Sequence, residues 1–243
     1  MMIFDIITIF PGLFENVFND SILGSAQKSG LINVQIRHFR DFGEGRHKTV
    51  DDSPFGGGPG MVLKPGPLVS CIREIRKDGP IGPVIGLSPQ GIPLRQTVVE
   101  ELSRFDRLVL VCGRYEGFDE RILPEFDLEI SIGDYVLTGG EFAAMILVDS
   151  ISRMIPGVVG KIDSVEQDSF FGGLLDYPHY TRPYEWENQR VPQVLMEGNH
   201  EKIRKWRRGK AILRTAIRRP DIFAKTSTSQ IDRDLFQSVL GED

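Results

Sequence analysis

The chain has 243 residues, 40% of them hydrophobic and 26% charged, with a formal net charge of −5. That apolar content can offset the entropy of ordering, which excludes a disordered tail; the length allows one large core with a smaller appended unit, or two ordinary domains. The acidic balance excludes a protein that coats nucleic acid through bulk positive charge, and leaves a local basic patch open.

The two cysteines, Cys71 and Cys112, are too few for a disulfide framework, and no Cys/His spacing resembles a zinc ligand set. Both are expected as reduced core residues. Met1–Phe10 is apolar but carries Asp5 and has no basic leader, unlike a secretory signal. No apolar run approaches the ~20 residues of a membrane span. The expected location is the cytoplasm, with no membrane partner.

In chain order, Ile3–Phe10 reads as a buried strand closed by Pro11-Gly12, after which Leu13, Val17 and Phe18 recur at helical spacing. Asn33–His38 alternates like a half-buried strand, and from Asp41 to Pro67 the chain is polar and glycine-rich without a period. Pro67–Lys77 is expected as a helix, with Pro at its start and Asp78-Gly79-Pro80 as its stop. Strand and helix then alternate: strands at Pro83–Leu87, Leu108–Cys112 and Asp127–Ile132, helices around Leu94–Phe105 and over Glu141–Ile155. Such alternation implies an α/β fold with a largely parallel sheet covered on both faces, whose ligands bind at the carboxyl ends of the strands. Val158–Gly173 has no clear period and reads as a linker or mobile loop, and Asn199–Arg219 as a helix with Ile203, Trp206, Leu213 and Ile217 along one stripe.

Three glycine-containing loops follow the expected strand ends: Leu87–Gly91, Cys112–Gly117 and Ile132–Gly140. Any one of them reads as an ordinary tight turn; three in succession point to backbone that faces a ligand. None is followed by Gly-Lys-Ser/Thr, and Met61 breaks the dinucleotide pattern in Gly56-Gly57-Gly58-Pro59-Gly60, so a nucleoside triphosphate or NAD is not expected. Between Lys202 and Arg219 nine basic residues occur without an acidic one. A basic run is often a solvated face, but this density favours a phosphate-binding surface, for which Lys202, Lys205, Arg208, Arg214 and Arg218 are the candidates, with Arg46 and His47 in an earlier loop. His179 and Arg182 are equally compatible with a structural role.

Several of these words belong together. Phe55–Met61, Leu87–Gly91, Val111–Gly117, Ser131–Leu137 and Pro178–Pro183 match one family in order and spacing, nearly end to end. The chain closely resembles the bacterial tRNA (guanine-37-N1)-methyltransferases, the TrmD family of the SPOUT superfamily. The resemblance implies an α/β fold with a parallel sheet whose three loops form a deep trefoil knot (rare among chains) holding S-adenosylmethionine, over residues 1–160. A linker or lid at 161–172 and a small helical tRNA-binding domain at 173–243 would follow. The cofactor contacts it implies are Leu87, Ser88, Pro89, Gly91, Gly113, Tyr115, Glu116, Ile132, Gly133, Asp134, Tyr135, Val136, Leu137, Gly139 and Gly140. One departure is Gly86, where many members carry an aromatic residue.

The resemblance also assigns chemistry. Asp168, by itself a solvated linker carboxylate, becomes the general base that removes the proton from guanine N1. Arg153, by itself well placed at a helix C-terminus, becomes the cation that offsets charge developing on O6. Glu116 would lie near the cofactor's amino-acid end and would help hold a Mg²⁺. The partner implied is a tRNA with guanosine immediately 3′ of the anticodon, read by flipping that base, and the enzyme would be a homodimer with Asp168 of one subunit facing the cofactor loops of the other. Two other readings stay open at this point: a methyltransferase of the same fold acting on another RNA base or a ribose, and a non-catalytic tRNA-binding protein.

Overall fold

The computed structural model describes residues 1–160 and 168–240. Met1–Ile162 and Asp163–Asp243 form two compact units. In the first, β1 (Met2–Thr8) leads through a 3-10 turn at Pro11–Phe14 to α1 (Ser21–Lys28) and β2 (Ile32–His38). A short antiparallel pair, β3 (Asp51–Asp52) and β4 (Val62–Leu63), precedes α2 (Pro65–Lys77). Then β5 (Val84–Pro93), α3 (Gln96–Leu102), β6 (Arg107–Cys112), β7 (Leu128–Ser131) and α4 (Glu141–Ser152) follow in turn.

The five long strands form one sheet in the order β2-β1-β6-β5-β7, parallel throughout. Period-two alternation explains why it needs cover on both faces. In β6, Leu108, Leu110 and Cys112 enter one core with Leu23 of α1, Val99 of α3 and Leu147, Val148 and Ile151 of α4. Val109 and Val111 enter the opposite core with Leu68, Cys71, Ile72 and Ile75 of α2. Each fully buried Leu or Ile contributes roughly 1.5–3 kcal/mol relative to exposure, so the two cores make this sheet the rigid base of whatever its loops hold. Burial pushes the Cys71 thiol up to about 12 and raises that of Cys112 as well.

The structure departs from the sequence expectation in three places. Helical spacing at Leu13–Phe18 does not give an α-helix: Pro11 opens only a 3-10 turn, and the spacing instead stacks Phe14 on Phe18 at 5.8 Å in the core. The helix α1 begins later, where Asp20 accepts from the Ser21 N–H. The Leu87–Gly91 loop is not past a strand end but a bulge within β5, since both Leu87 and Ile92 pair with Ile130. Pro89 can donate nothing to a ladder, and Gly91 lies against the backbone of Glu129 and Ile130, where a side chain has no room.

The second unit contains a hairpin of β8 (Glu185–Trp186) and β9 (Gln189–Arg190), then α5 (His200–Arg218), α6 (Pro220–Phe223) and α7 (Gln230–Val239). Its small core joins Leu174, Ala211 and Ile212 with Tyr177, Phe223 and Phe236. The sequence expectation omits α7, although Ser229 and Asp232 form a reciprocal capping box at its start. Asp232 also receives Arg208 of α5, Nε to Oδ1 at 2.8 Å and Nη2 to Oδ2 at 3.2 Å. The guanidinium holds the Asp232 carboxyl down at about 2. Because this lies below the unfolded value of ~3.9, the stabilisation is complete above that pH and is lost as pH falls through about 2. Asp232→Asn is therefore expected to cost ~1–2 kcal/mol at pH 7, discounted for the exposed flank of Arg208, with its melting temperature converging on wild type towards pH 2.

Candidate cofactor cavity and catalytic residues

The sheet order places the β5 bulge between the carboxyl ends of β6 and β7, so the three glycine-bearing segments meet although they are separate in sequence. Between them is a cavity of about 300 Å³. Of the expected cofactor residues it is lined by Leu87, Ser88, Pro89, Gly113, Tyr115, Glu116, Ile132, Gly133, Tyr135, Val136, Leu137, Gly139 and Gly140. Two are not among the lining residues: Gly91, which packs on the β7 backbone, and Asp134, which is exposed. Sequence reasoning missed Arg114, Phe118, Leu123 and Thr138, which also line it.

Backbone contacts knit the loops. Gly140 N–H donates to Gly113 O at 2.8 Å, and Arg114 and Gly139 form a bridge. The Glu116 N–H donates to Met61 O at 2.9 Å, and Leu63 N–H to Gly117 O at 3.0 Å, which ties the Gly56–Gly60 loop to the cavity rim. The glycines divide by purpose. Of Gly113, Gly133, Gly139 and Gly140, only Gly133 has positive φ, at 154°. The other three are needed for close approach: a Cβ on Gly140 would stand 2.9 Å from Cys112 Cα. Tyr115 itself takes the left-handed conformation, at φ 58°, an unusual cost for an aromatic residue and a mark of a constrained site.

Gly86 has a structural explanation. The Phe126 ring fills the space beside it, 2.6 Å from where a Cβ would stand, and Phe126 packs edge-on against the cavity residue Phe118 at 5.1 Å. Phe126 thus takes the space a side chain at position 86 would need, and it packs in the core with Val84 and Ile122 rather than lining the cavity. Tyr115, Tyr135, Val136 and Leu137 are exposed at 48%, 56%, 83% and 40%, an apolar rim of the kind that marks a ligand or partner site.

The lining fits an adenosine-type cofactor: glycine-bearing backbone beside the apolar walls of Leu87, Tyr115, Val136 and Leu137, with Glu116 among the lining residues. Among the described residues no group of three or more His, Cys, Asp or Glu side chains could hold a metal ion.

Arg153 caps the C-terminus of α4, its N–H donating to Asp149 O at 3.2 Å. Asp168 belongs to the second unit, in a turn closed by the Phe171 N–H on its carbonyl. That turn is anchored: Phe170 N–H donates to Leu174 O at 2.7 Å, Leu174 is in the core, and Leu175 N–H reaches Thr215 Oγ1 of α5 at 2.8 Å. Residues 161–167, the start of the expected lid, lie outside the described residues.

The basic residues are less uniform than their run suggests. Lys202, Lys205 and Arg218 are exposed on α5, with Lys205 paired to Glu201 at 2.8 Å; Arg214 is half-buried and Arg208 is committed to Asp232. Two details correct the expected stripe: Ile217 is 70% exposed, whereas Lys210 is buried. Helix α5 turns the Trp206, Gly209, Ile212 and Leu213 side inward, so the apolar stripe ends before Ile217. Arg46 and His47 sit at an exposed turn closed by Glu44 and Thr49. His179 pairs with Asp176 at 2.7 Å and packs on Tyr177 at 4.6 Å, the same ring that Arg207 covers at 4.7 Å.

Fold and cavity together define an α/β protein with a cavity beside the carboxyl ends of adjacent parallel strands, where such folds hold their ligands. Comparison narrows this to a family. The model of the tRNA (guanine-1)-methyltransferase TrmD family matches residues 2–225, and the chain belongs to that family. It is 48% identical to the Dictyoglomus turgidum protein named tRNA (guanine-N(1)-)-methyltransferase over 242 residues, 100% of this chain and 98% of that one. Proteins of the same name from Syntrophotalea carbinolica and Clostridium perfringens are 49% and 47% identical, covering 98% and 96% of this chain and 96% and 98% of theirs. No helix among the described residues is long and apolar enough to cross a membrane.

Proposed function

We propose that this protein transfers a methyl group from S-adenosylmethionine to N1 of the guanosine immediately 3′ of the tRNA anticodon. The observation that carries this reading is the strand-end cavity, walled by the residues that the family pattern assigns to the cofactor. S-Adenosylmethionine, when bound, supplies an electrophilic methyl group. The chain's own part is to hold it by backbone groups of Gly113, Ile132 and Leu137 and by the apolar walls of Leu87, Tyr115 and Val136. In this reading the three loops are threaded as a trefoil knot. Asp168 accepts the N1 proton of guanine, so that the ring nitrogen presents its lone pair, and Arg153 stabilises the charge that moves onto O6. Glu116 is the candidate to orient the cofactor's amino-acid end, alone or through a Mg²⁺.

The working form is a cytoplasmic homodimer, in which the Asp168 turn of one subunit completes the cavity of the other and the exposed Tyr135–Leu137 rim is covered. Residues 1–160 carry the cofactor, 161–172 link or close over it, and 173–243 grip tRNA. Arg46, His47, Lys202, Lys205, Arg208, Arg214 and Arg218 are the candidate phosphate contacts, with Arg208 doing so from its pair with Asp232. Each contact should steepen the fall of tRNA affinity with salt.

The test is methyl transfer to tRNA transcripts carrying G or A at the base after the anticodon. Incorporation is expected for G only, at N1 by nucleoside analysis. Comparable incorporation into both transcripts would sink the guanine-N1 assignment.

A further inference from the structure

One cluster with a buried carboxylate borders the cavity through Arg114 and is not among the groups assigned to cofactor or substrate. Glu141, the first residue of α4, is completely buried. Its carboxylate receives Arg114 Nε at 3.1 and 2.9 Å and the Thr8 hydroxyl at 2.8 Å. Thr8 Oγ1 in turn accepts from Phe10 N–H at 2.9 Å, and the Arg114 guanidinium lies over the Phe10 ring at 4.4 Å. Arg114 Nη1 continues outward and donates to the Thr138 carbonyl at 2.9 Å. One guanidinium thus joins the end of β1, the loop after β6, the loop after β7 and the start of α4.

A glycine records the same arrangement. Gly139 does not have positive φ, so it is not there for a turn. A Cβ on Gly139 would overlap Nε, Cδ and Cζ of Arg114, because the arginine crosses directly over its Cα. Only hydrogen at that position lets the side chain pass.

Resting on the methyltransferase reading above, we propose that Arg114 is a positioning residue: braced on Glu141, which Thr8 holds in turn, it fixes the Thr138–Gly139 segment, which with Tyr135–Leu137 forms one wall of the cofactor cavity. A flexible loop would have to be ordered by the ligand at the ligand's expense; a loop already held presents its backbone edge in place. Lysine cannot replace this arginine, because an ammonium cannot serve Glu141 and the Thr138 carbonyl in one plane.

The test uses the full chain without cofactor and then with it. In Arg114→Lys, amide exchange of residues 135–139 is expected to accelerate without cofactor, while the core strands stay protected. The dissociation constant and KM for S-adenosylmethionine should rise roughly 10- to 100-fold, as for a small misplacement of a binding wall, with KM for tRNA unchanged. Arg114→Gln/Glu141→Gln, which leaves no unpaired charge in the core, guards against simple misfolding and should behave alike. Gly139→Ala should reproduce the defect in the wild-type chain but add little to Arg114→Gln/Glu141→Gln. Unchanged loop exchange in the folded variants, or a Gly139→Ala penalty equally large in both backgrounds, overturns the proposal. Failure of the wild-type chain to bind S-adenosylmethionine, with loop exchange altered as expected, would instead overturn the cofactor assignment and leave the positioning role standing.

Discussion

Replacing Asp168 by alanine is expected to slow methyl transfer by roughly 10²–10⁴-fold while leaving S-adenosylmethionine affinity within a few-fold of wild type. The split follows from where the residue stands. Asp168 is on an exposed turn of the second unit, outside the set of residues that line the cavity of the first. In the proposed reading, removing its carboxylate leaves the cofactor walls of the first unit in place and removes the acceptor for the N1 proton, without which guanine N1 has no lone pair to offer. The turn is held by the Phe170–Leu174 and Leu175–Thr215 hydrogen bonds, which run between backbone groups and the Thr215 hydroxyl. Residual activity of Asp168→Ala should climb with pH, since solvent must then take the proton. Single-turnover rates with cofactor saturating provide the measurement. A rate within tenfold of wild type would place the base elsewhere.

How much of this was legible in the sequence depends on distance along the chain. Strands of β-branched and aliphatic residues declare themselves locally, and β1, β2, β6 and α2 are found within one or two residues of their expected bounds. The glycine words marked the cavity because backbone that approaches backbone needs glycine wherever it occurs. Contacts across long separations left no trace. Arg114 stands inside a recognisable word, yet its partner Glu141 is 27 residues on and Thr8 lies 133 residues from Glu141. Likewise the basic run on α5 looks uniform until the fold takes Arg208 for Asp232 and buries Lys210. Composition shows charge, and only packing decides which charges remain for RNA. Phe126 is a further case: its packing into the space beside Gly86 depends on sheet register between β5 and β7, which no local pattern encodes.

Asp5→Ala should be the most destabilising single change in the first unit, at about 3–5 kcal/mol, the usual cost of breaking a buried ion pair by removing one partner. Asp5 lies mid-strand in β1, is completely buried, and receives Arg37 Nε at 2.7 Å on one oxygen and Arg107 Nε at 2.8 Å on the other. Those arginines come from β2 and β6, the strands on either side. They extend the network to Asp78 at the end of α2, 2.9 Å from Arg37 and 3.8 Å from Arg107. The two losses are unequal. The Arg107 side chain is only 10% exposed and would be left with Asp78 alone, at 3.8 Å, whereas Arg37 at 31% can recover water and keeps Asp78 at 2.9 Å. Arg37→Ala is accordingly expected to cost less than Arg107→Ala. A paired replacement, Asp5→Leu with Arg107→Met, removes both buried charges together and should recover most of the stability lost in Asp5→Ala. Equilibrium urea unfolding with the slope held common reads all four variants. A loss below ~1 kcal/mol in Asp5→Ala would mean that water reaches Arg107 and that the network acts as a surface ion pair.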